Sequence, residues 1–181
     1  MHTLVLSPSA TVYGQPEAVS VTEDATLGCT NPYDRSKLVM EQLIGDCCQA
    51  TPKLGAVLLR YFNPVGAHPS GHIGEDPGGA PNNLMPYVAQ VAVGRRDKLQ
   101  VFGGDYPTPD GTGVRDYLLV MDLADTHMRA LEYGMRNCGA QAINVGTGRE
   151  VKLVRAFEQA SGRVVPYKIV ARPAGDVAEL W

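Results

Sequence analysis

Short apolar runs alternate with helix-length stretches along this chain, and that alternation limits what it can fold into. Leu4 to Leu6 is apolar and ends at a Ser/Pro cluster; Ala56 to Phe62 (A-V-L-L-R-Y-F) is apolar and ends at Asn63-Pro64. Both read as buried strands, because a residue before proline avoids helix and proline cannot donate to a ladder. Leu99 to Phe102, Ala142 to Val145 and Val164 to Val170 read as further strands. Between them, Asn31-Pro32 opens a helix that ends before Pro52, since Asn caps well and Pro suits the first helical position. Leu84 to Val93 is a second helix, with Gly94 behind it. Asp122 is expected to cap a third, running to about Arg136. Gly146-x-Gly148 leads into a fourth that reaches Ser161. Strand–helix alternation of this kind predicts an α/β protein with at least some parallel strands.

Composition narrows the class. Of 181 residues, 44% are hydrophobic and 19% are charged, enough apolar matter for a packed core and too little charge for a disordered chain. The net charge is −3 with no basic block, so no nucleic-acid footprint is expected. No segment is long and apolar enough to span a bilayer, which predicts no membrane association. Cys29, Cys47, Cys48 and Cys138 form no C-x-x-C pair, and the four histidines have no metal spacing, so no metal site is expected. Reduced thiols in a cytosolic protein are the simplest reading. Cys47 and Cys48 are helix neighbours and should point in different directions. The Gly/Pro/Asn-rich residues 66 to 83 form a loop long enough to suggest function.

Tyr33 and Lys37 stand four residues apart on the first predicted helix, hence on one face. Making a phenol a base near neutral pH requires about 4 kcal/mol of preferential stabilisation of its phenolate. A lysine ammonium one turn away supplies part of that, and a serine hydroxyl such as Ser9 can add a hydrogen bond. The same spacing also occurs on ordinary solvated faces, so context decides.

That context is a series of motifs in fixed order: S-P-S-A-T-V-Y-G (7–14), N-P-Y-D-R-S-K (31–37), R-Y-F-N-P-V-G-A (60–67), G-E-D-P-G-G-A-P-N-N-L-M-P-Y (74–87), V-F-G-G-D-Y, and D-G-T-G-V-R-D-Y (110–117). Together they closely resemble the UDP-galactose 4-epimerase family of extended short-chain dehydrogenases/reductases, from about Leu4 to Asp176. The resemblance implies an incomplete Rossmann-like, doubly wound parallel sheet plus part of a smaller substrate-binding domain. Residues 1–65 would be the C-terminal part of the NAD-binding domain. Residues 66–181 would mostly bind the UDP-sugar, with some elements returning to the sheet.

It also implies a reaction, the interconversion of UDP-galactose and UDP-glucose by transient oxidation at C4 with bound NAD. The 4-keto sugar turns over in the pocket and is reduced on its other face. Tyr33 would be the base, Lys37 would hold the nicotinamide ribose and favour the phenolate, and Ser9 would assist proton transfer. Ser7 and Tyr61 would lie on the cofactor side. Asn63, Asn83, Leu84, Phe102, Arg115, Tyr117 and Asp176 would contact the substrate, with Arg115 on the diphosphate. Homodimers built on the Tyr33-bearing helix are implied too. A dehydratase or decarboxylase relative is disfavoured, because those carry an acidic pair where this chain has Ser9-Ala10-Thr11.

Departures from the family are equally specific. No strand–G-x-x-G-x-x-G–helix unit, the usual pyrophosphate cradle, occurs in these residues, so the resemblance is to an N-terminally truncated member. Gly111-x-Gly113 leads into a strand, and Gly146-x-Gly148 has Val151 where a third glycine would be, so both are expected to be turns. Pro8 replaces a serine, the helix after Gly148 is about three residues short, and Arg172-Pro173 stands where the family usually has Arg-Arg. A chain without the cradle would at best bind the UDP-sugar weakly, which is the alternative to turnover.

Overall fold

The computed structural model describes residues 2–16, 20–106, 108, 111–149, 151–171 and 179–180. Strand β1 (His2–Leu6) pairs parallel to β2 (Leu54–Tyr61), which pairs parallel to β7 (Gly139–Val145), giving a sheet of order β1-β2-β7. Helix α1 (Pro32–Ala50) lies between β1 and β2 in the chain. Strands β3 (Asn63–Val65), β4 (Leu99–Phe102), β5 (Val114–Arg115) and β6 (Tyr117–Leu119) follow in chain order. Helix α2 (Leu84–Ala92) separates β3 from β4, and α3 (Val120–Gly134) separates β6 from β7. Helix α4 (Leu153–Ser161), β8 (Tyr167–Val170) and β9 (Glu179–Leu180) complete the order. The pairs β3·β6, β4·β8 and β5·β9 are parallel as well.

The centre of the molecule is β2, six of whose eight residues are buried. Side chains alternate across a strand. Val57 and Leu59 pack with Ala130 of α3, while Arg60 points at Glu41 of α1, so the strand is covered on both faces. A parallel strand covered on both faces carries a near-continuous apolar run, which is why A-V-L-L-R-Y-F stood out. At one end the backbones of β2 and α3 nearly touch. A Cβ on Gly55 would overlap the Gly134 carbonyl, so only glycine fits.

Helix α1 starts as its sequence predicts. Asn31 Oδ1 accepts from Asp34 N at 3.0 Å, and Pro32 opens the first turn. Four expectations are corrected. Helix α3 begins at Val120 with Leu119 at its cap and no side-chain bond, so Asp122 sits in the first turn instead of capping it. Asn63-Pro64 ends β2, but the chain then forms β3 against β6. Pro64 is tolerated there because β3 has a single partner, and a two-stranded edge leaves one row of donors unpaired. The fourth helix starts only at Leu153, and the last predicted strand only at Tyr167. Of the neighbouring cysteines, Cys48 is buried and Cys47 exposed, and none of the four is bridged.

Candidate functional site

Tyr33 lies in the first turn of α1, beside its cap. There the Asp34 carboxylate accepts from Asn31 Nδ2 at 2.7 Å and from Thr30 Oγ1 at 2.9 Å, which anchors the turn. The Tyr33 ring is 55% exposed, so its phenol is open to a bound molecule. The Lys37 ammonium sits 5.1 Å from the ring centroid, placing a cation over the π-face as the i,i+4 spacing requires. Tyr61, at the end of β2, is close by: burial pushes its phenol up, and neighbouring Tyr33 adds to the effect.

Ser9 is the N-cap of a 3-10 turn, Ala10–Tyr13, directly after β1. It has φ 92°, the only positive value on a non-glycine among the described residues. Such a conformation costs on the order of 1–3 kcal/mol and persists only where the surroundings enforce it. Fully buried Pro8 and the buried turn behind Ser9 do so here. The Ser9 hydroxyl makes two long contacts, donating to the Tyr61 carbonyl and accepting from Thr11 N, each at 3.5 Å. Neither goes to the Tyr33 phenol, so the expected serine–phenol bond is not formed in this arrangement. Ser7 lies at 2.5 Å from His127 Nε2, and His127 Nδ1 lies 2.8 Å from the Leu123 carbonyl. With Nδ1 donating to that carbonyl, Nε2 accepts from Ser7. His127 thus bridges the end of β1 to α3.

The residues expected on the substrate side fall into a second group. Leu84, Phe102, Arg115 and Tyr117, drawn from α2, β4, β5 and β6, line one cavity of about 430 Å³. Thr112, Lys152 and Arg155 line it too and were not anticipated from the sequence. Phe102 is 51% exposed, which favours a stacking surface over a core role. Burial raises the Tyr117 phenol, with the Arg115 guanidinium pulling the other way. Asn83 caps α2 without a side-chain bond to it, and its amide donates to Glu75 Oε1 at 2.9 Å. Asp176, with Arg172 and Pro173, lies outside the described residues.

Asn63 links the two groups. In register it faces Tyr117, and both its backbone N and its Nδ2 donate to the Asp116 carbonyl, at 3.1 and 3.0 Å. Asp116 itself is buried. Its carboxylate accepts from Thr147 N at 2.7 Å, Gly148 N at 2.9 Å and Thr147 Oγ1 at 2.6 Å. The Gly146-x-Gly148 turn therefore cradles an internal carboxylate, and a Cβ on Gly146 would overlap it. The Gly111 turn closes on the protein's own backbone as well, with Gly111 N donating to Thr108 O at 3.0 Å. The Thr147, Gly148 and Gly111 amides are thus taken by the protein's own acceptors. No cluster that could hold a metal occurs among the described residues.

The NAD dependent epimerase/dehydratase family model matches residues 1–146. The UDP-glucose 4-epimerase of Bacillus subtilis (strain 168) is 57% identical over 178 residues, covering 97% of this chain and 52% of that protein. The Homo sapiens UDP-glucose 4-epimerase is 58% identical over 182 residues, covering 98% and 52%. The crystal structure of UDP-glucose 4-epimerase from Bifidobacterium longum in complex with NAD+ and UDP superposes with a TM-score of 0.94 at 48% identity, covering 99% of this chain and 55% of that one. The chain thus spans about half the length of the curated relatives it matches. Its α/β architecture is the Rossmann-like one of these enzymes. From the family match and these identities, this chain belongs to the NAD dependent epimerase/dehydratase family.

Proposed function

We propose that this chain carries the catalytic pair and the nucleotide-sugar pocket of a UDP-glucose 4-epimerase, interconverting UDP-galactose and UDP-glucose with NAD. The observation that carries the reading is the convergence of Leu84, Phe102, Arg115 and Tyr117 on one cavity, from four separate elements. These are the residue types a uridine diphosphate needs: an aromatic face for the base, and a guanidinium and phenol for the phosphates.

NAD, when bound, supplies the reversible redox chemistry at C4 of the hexose. The chain's own residues do the rest. Tyr33 takes the proton of the 4-hydroxyl and later returns it. The Lys37 ammonium holds the nicotinamide ribose and stabilises negative charge on the phenol oxygen. Ser9 turns its hydroxyl from the Tyr61 carbonyl toward the reacting oxygen once substrate arrives, a small change because its present bonds are long. Asn63 and Asn83 meet the sugar and its phosphates, and Asp176 the ribose, while Ser7 and Tyr61 border the cofactor. Residues 1–65 belong with the cofactor domain and most of 66–181 with the UDP-sugar domain. The return of β7 to pair with β2 supports that division. Val39 and Leu43 are exposed on α1, which supports pairing of two copies through that helix. We place the activity in the cytosol, where four unbridged cysteines stay reduced. No helix among the described residues is long and apolar enough to cross a membrane.

The test is to purify the chain, add NAD+ and UDP-galactose, and assay UDP-glucose. Turnover is expected. Arg115→Ala should weaken UDP binding roughly 10-fold or more by calorimetry, the value of a charge-assisted hydrogen bond. A second reading, UDP-sugar binding without turnover, is favoured by the Gly146–Gly148 turn, whose Thr147 and Gly148 amides are held by Asp116. It predicts a calorimetric signal with UDP-galactose and no product at any NAD+ concentration.

A further inference from the structure

Arg60 is the one charge in the apolar run of β2, and its guanidinium is the hub of a buried polar network. Nε and Nη2 donate to the two carboxylate oxygens of Glu41 at 3.0 and 2.7 Å, a bidentate pair with both side chains almost fully buried. Nη1 donates to the Tyr13 hydroxyl at 2.9 Å and to the Glu23 carbonyl at 3.1 Å. Tyr13 in turn donates to Asn144 Oδ1 of β7 at 2.6 Å, and Asn144 Nδ2 donates to the Val21 carbonyl at 2.8 Å. Every polar atom here has a partner, as a buried network requires.

The two ends of this network are each one short step from the site. Glu41 follows Tyr33 and Lys37 at four-residue intervals on α1. Holding its carboxylate therefore sets both the rotation of that helix about its axis and its position along the sheet. Tyr13 closes the 3-10 turn whose cap is Ser9. Arg60 is also the chain neighbour of Tyr61, whose carbonyl receives the Ser9 hydroxyl. Among the described residues no hydrogen bond joins α1 directly to the Ser9 turn, and a single planar guanidinium fastens both.

We infer that Arg60 is a positioning residue: its guanidinium sets the separation between the Tyr33/Lys37 helix and the strained Ser9 turn. Lysine cannot substitute, because a point charge lacks the fork that holds Glu41 by two bonds while reaching Tyr13 with a third. The catalytic consequence rests on the epimerase reading; the geometric one does not.

The experiment uses the full chain and the variants Arg60→Lys, Glu41→Gln and Tyr13→Phe. Two measurements are made: steady-state kinetics with NAD+ and UDP-galactose, and hydrogen exchange over residues 9–14 and 32–42. Arg60→Lys is expected to lower kcat by roughly 10- to 100-fold, the effect of misplacing reacting groups by about an ångström. KM and UDP affinity should stay nearly unchanged, because the cavity residues are elsewhere. Exchange should rise in both segments together. Tyr13→Phe should loosen 9–14 more than 32–42, and Glu41→Gln the reverse. A folded Arg60→Lys with wild-type kcat and wild-type exchange overturns the inference. So does loosening of only one segment in Arg60→Lys. If the parent chain shows no turnover, the epimerase reading falls, and the exchange pattern alone decides the clamp. If Arg60→Lys does not fold, the opposite exchange patterns of the other two variants decide it.

Discussion

The sheet side of this molecule and its cavity side hold polar groups in opposite ways. Around β2 the charged and polar side chains are buried and satisfied by one another: Arg60 with Glu41 and Tyr13, Tyr13 with Asn144. Around the cavity, Arg115, Tyr117, Lys152 and Arg155 border open space that a ligand can fill. The first arrangement fixes geometry, and the second lines a space that a ligand can occupy. A proton-transfer site needs the former, because small displacements are costly there. A nucleotide pocket needs the latter, because its binding energy comes from groups presented to the ligand.

The sharpest way to break this comparison is at Tyr33. Tyr33→Phe removes only the hydroxyl of a half-exposed ring. It should lower kcat by about 10²- to 10⁴-fold, the usual contribution of a general base, and leave UDP affinity by calorimetry as in the parent. An equal loss in affinity would mean that the two sides are one site.

Asp116 sits between the sides, its carboxylate on the Gly146–Gly148 turn and its carbonyl on Asn63. Asp116→Ala removes a buried carboxylate from two backbone donors and a hydroxyl of the exposed Thr147–Gly148 turn. It should cost about 1–2 kcal/mol of stability, read as a lower urea midpoint. Both kcat and UDP affinity should fall in what remains folded. Loss of one function alone would show the sides to be mechanically independent.

The smallest effect is a pH dependence on the cavity side. Burial raises the Tyr117 phenol above its ordinary value, so the folded state holds that proton more tightly than the unfolded chain. The stability this contributes is fully present below the unfolded value of about 10 and is lost as pH climbs through the folded value. Tyr13 and Tyr61, raised chiefly by burial too, act in the same direction. Urea midpoints should therefore decline above about pH 10, and more gently in Tyr117→Phe. An unchanged slope in that variant would mean that Tyr117 is not held in its protonated form by the fold.

Much of the frame is legible in the sequence. Helix α1 and strand β4 follow local signals, namely a cap with proline and an apolar run between turns. What misled was also local. Asp122 looks like a cap by composition, but the helix runs back to Val120 directly from β6, leaving no turn for a cap to close. Strands β3, β5 and β6 have two or three residues each, too short for any periodicity to show. At the site, the resemblance pointed to residues one at a time, and the structure brought four of them to one wall. It could not point to Lys152 or Arg155, which lie in the stretch that departs from the family pattern.

The sequence by itself determined the i,i+4 placement of Tyr33 and Lys37, because helix geometry follows from spacing alone. It determined the family as well, through motifs whose order no short pattern would reproduce. Only the tertiary structure decided that Gly146-x-Gly148 holds the Asp116 carboxylate and that Arg60 joins Glu41 to Tyr13. Those partners lie 19 to 47 residues apart along the chain. Which distant donor meets which buried acceptor is set by how strands and helices stack, a property that no local stretch of sequence contains.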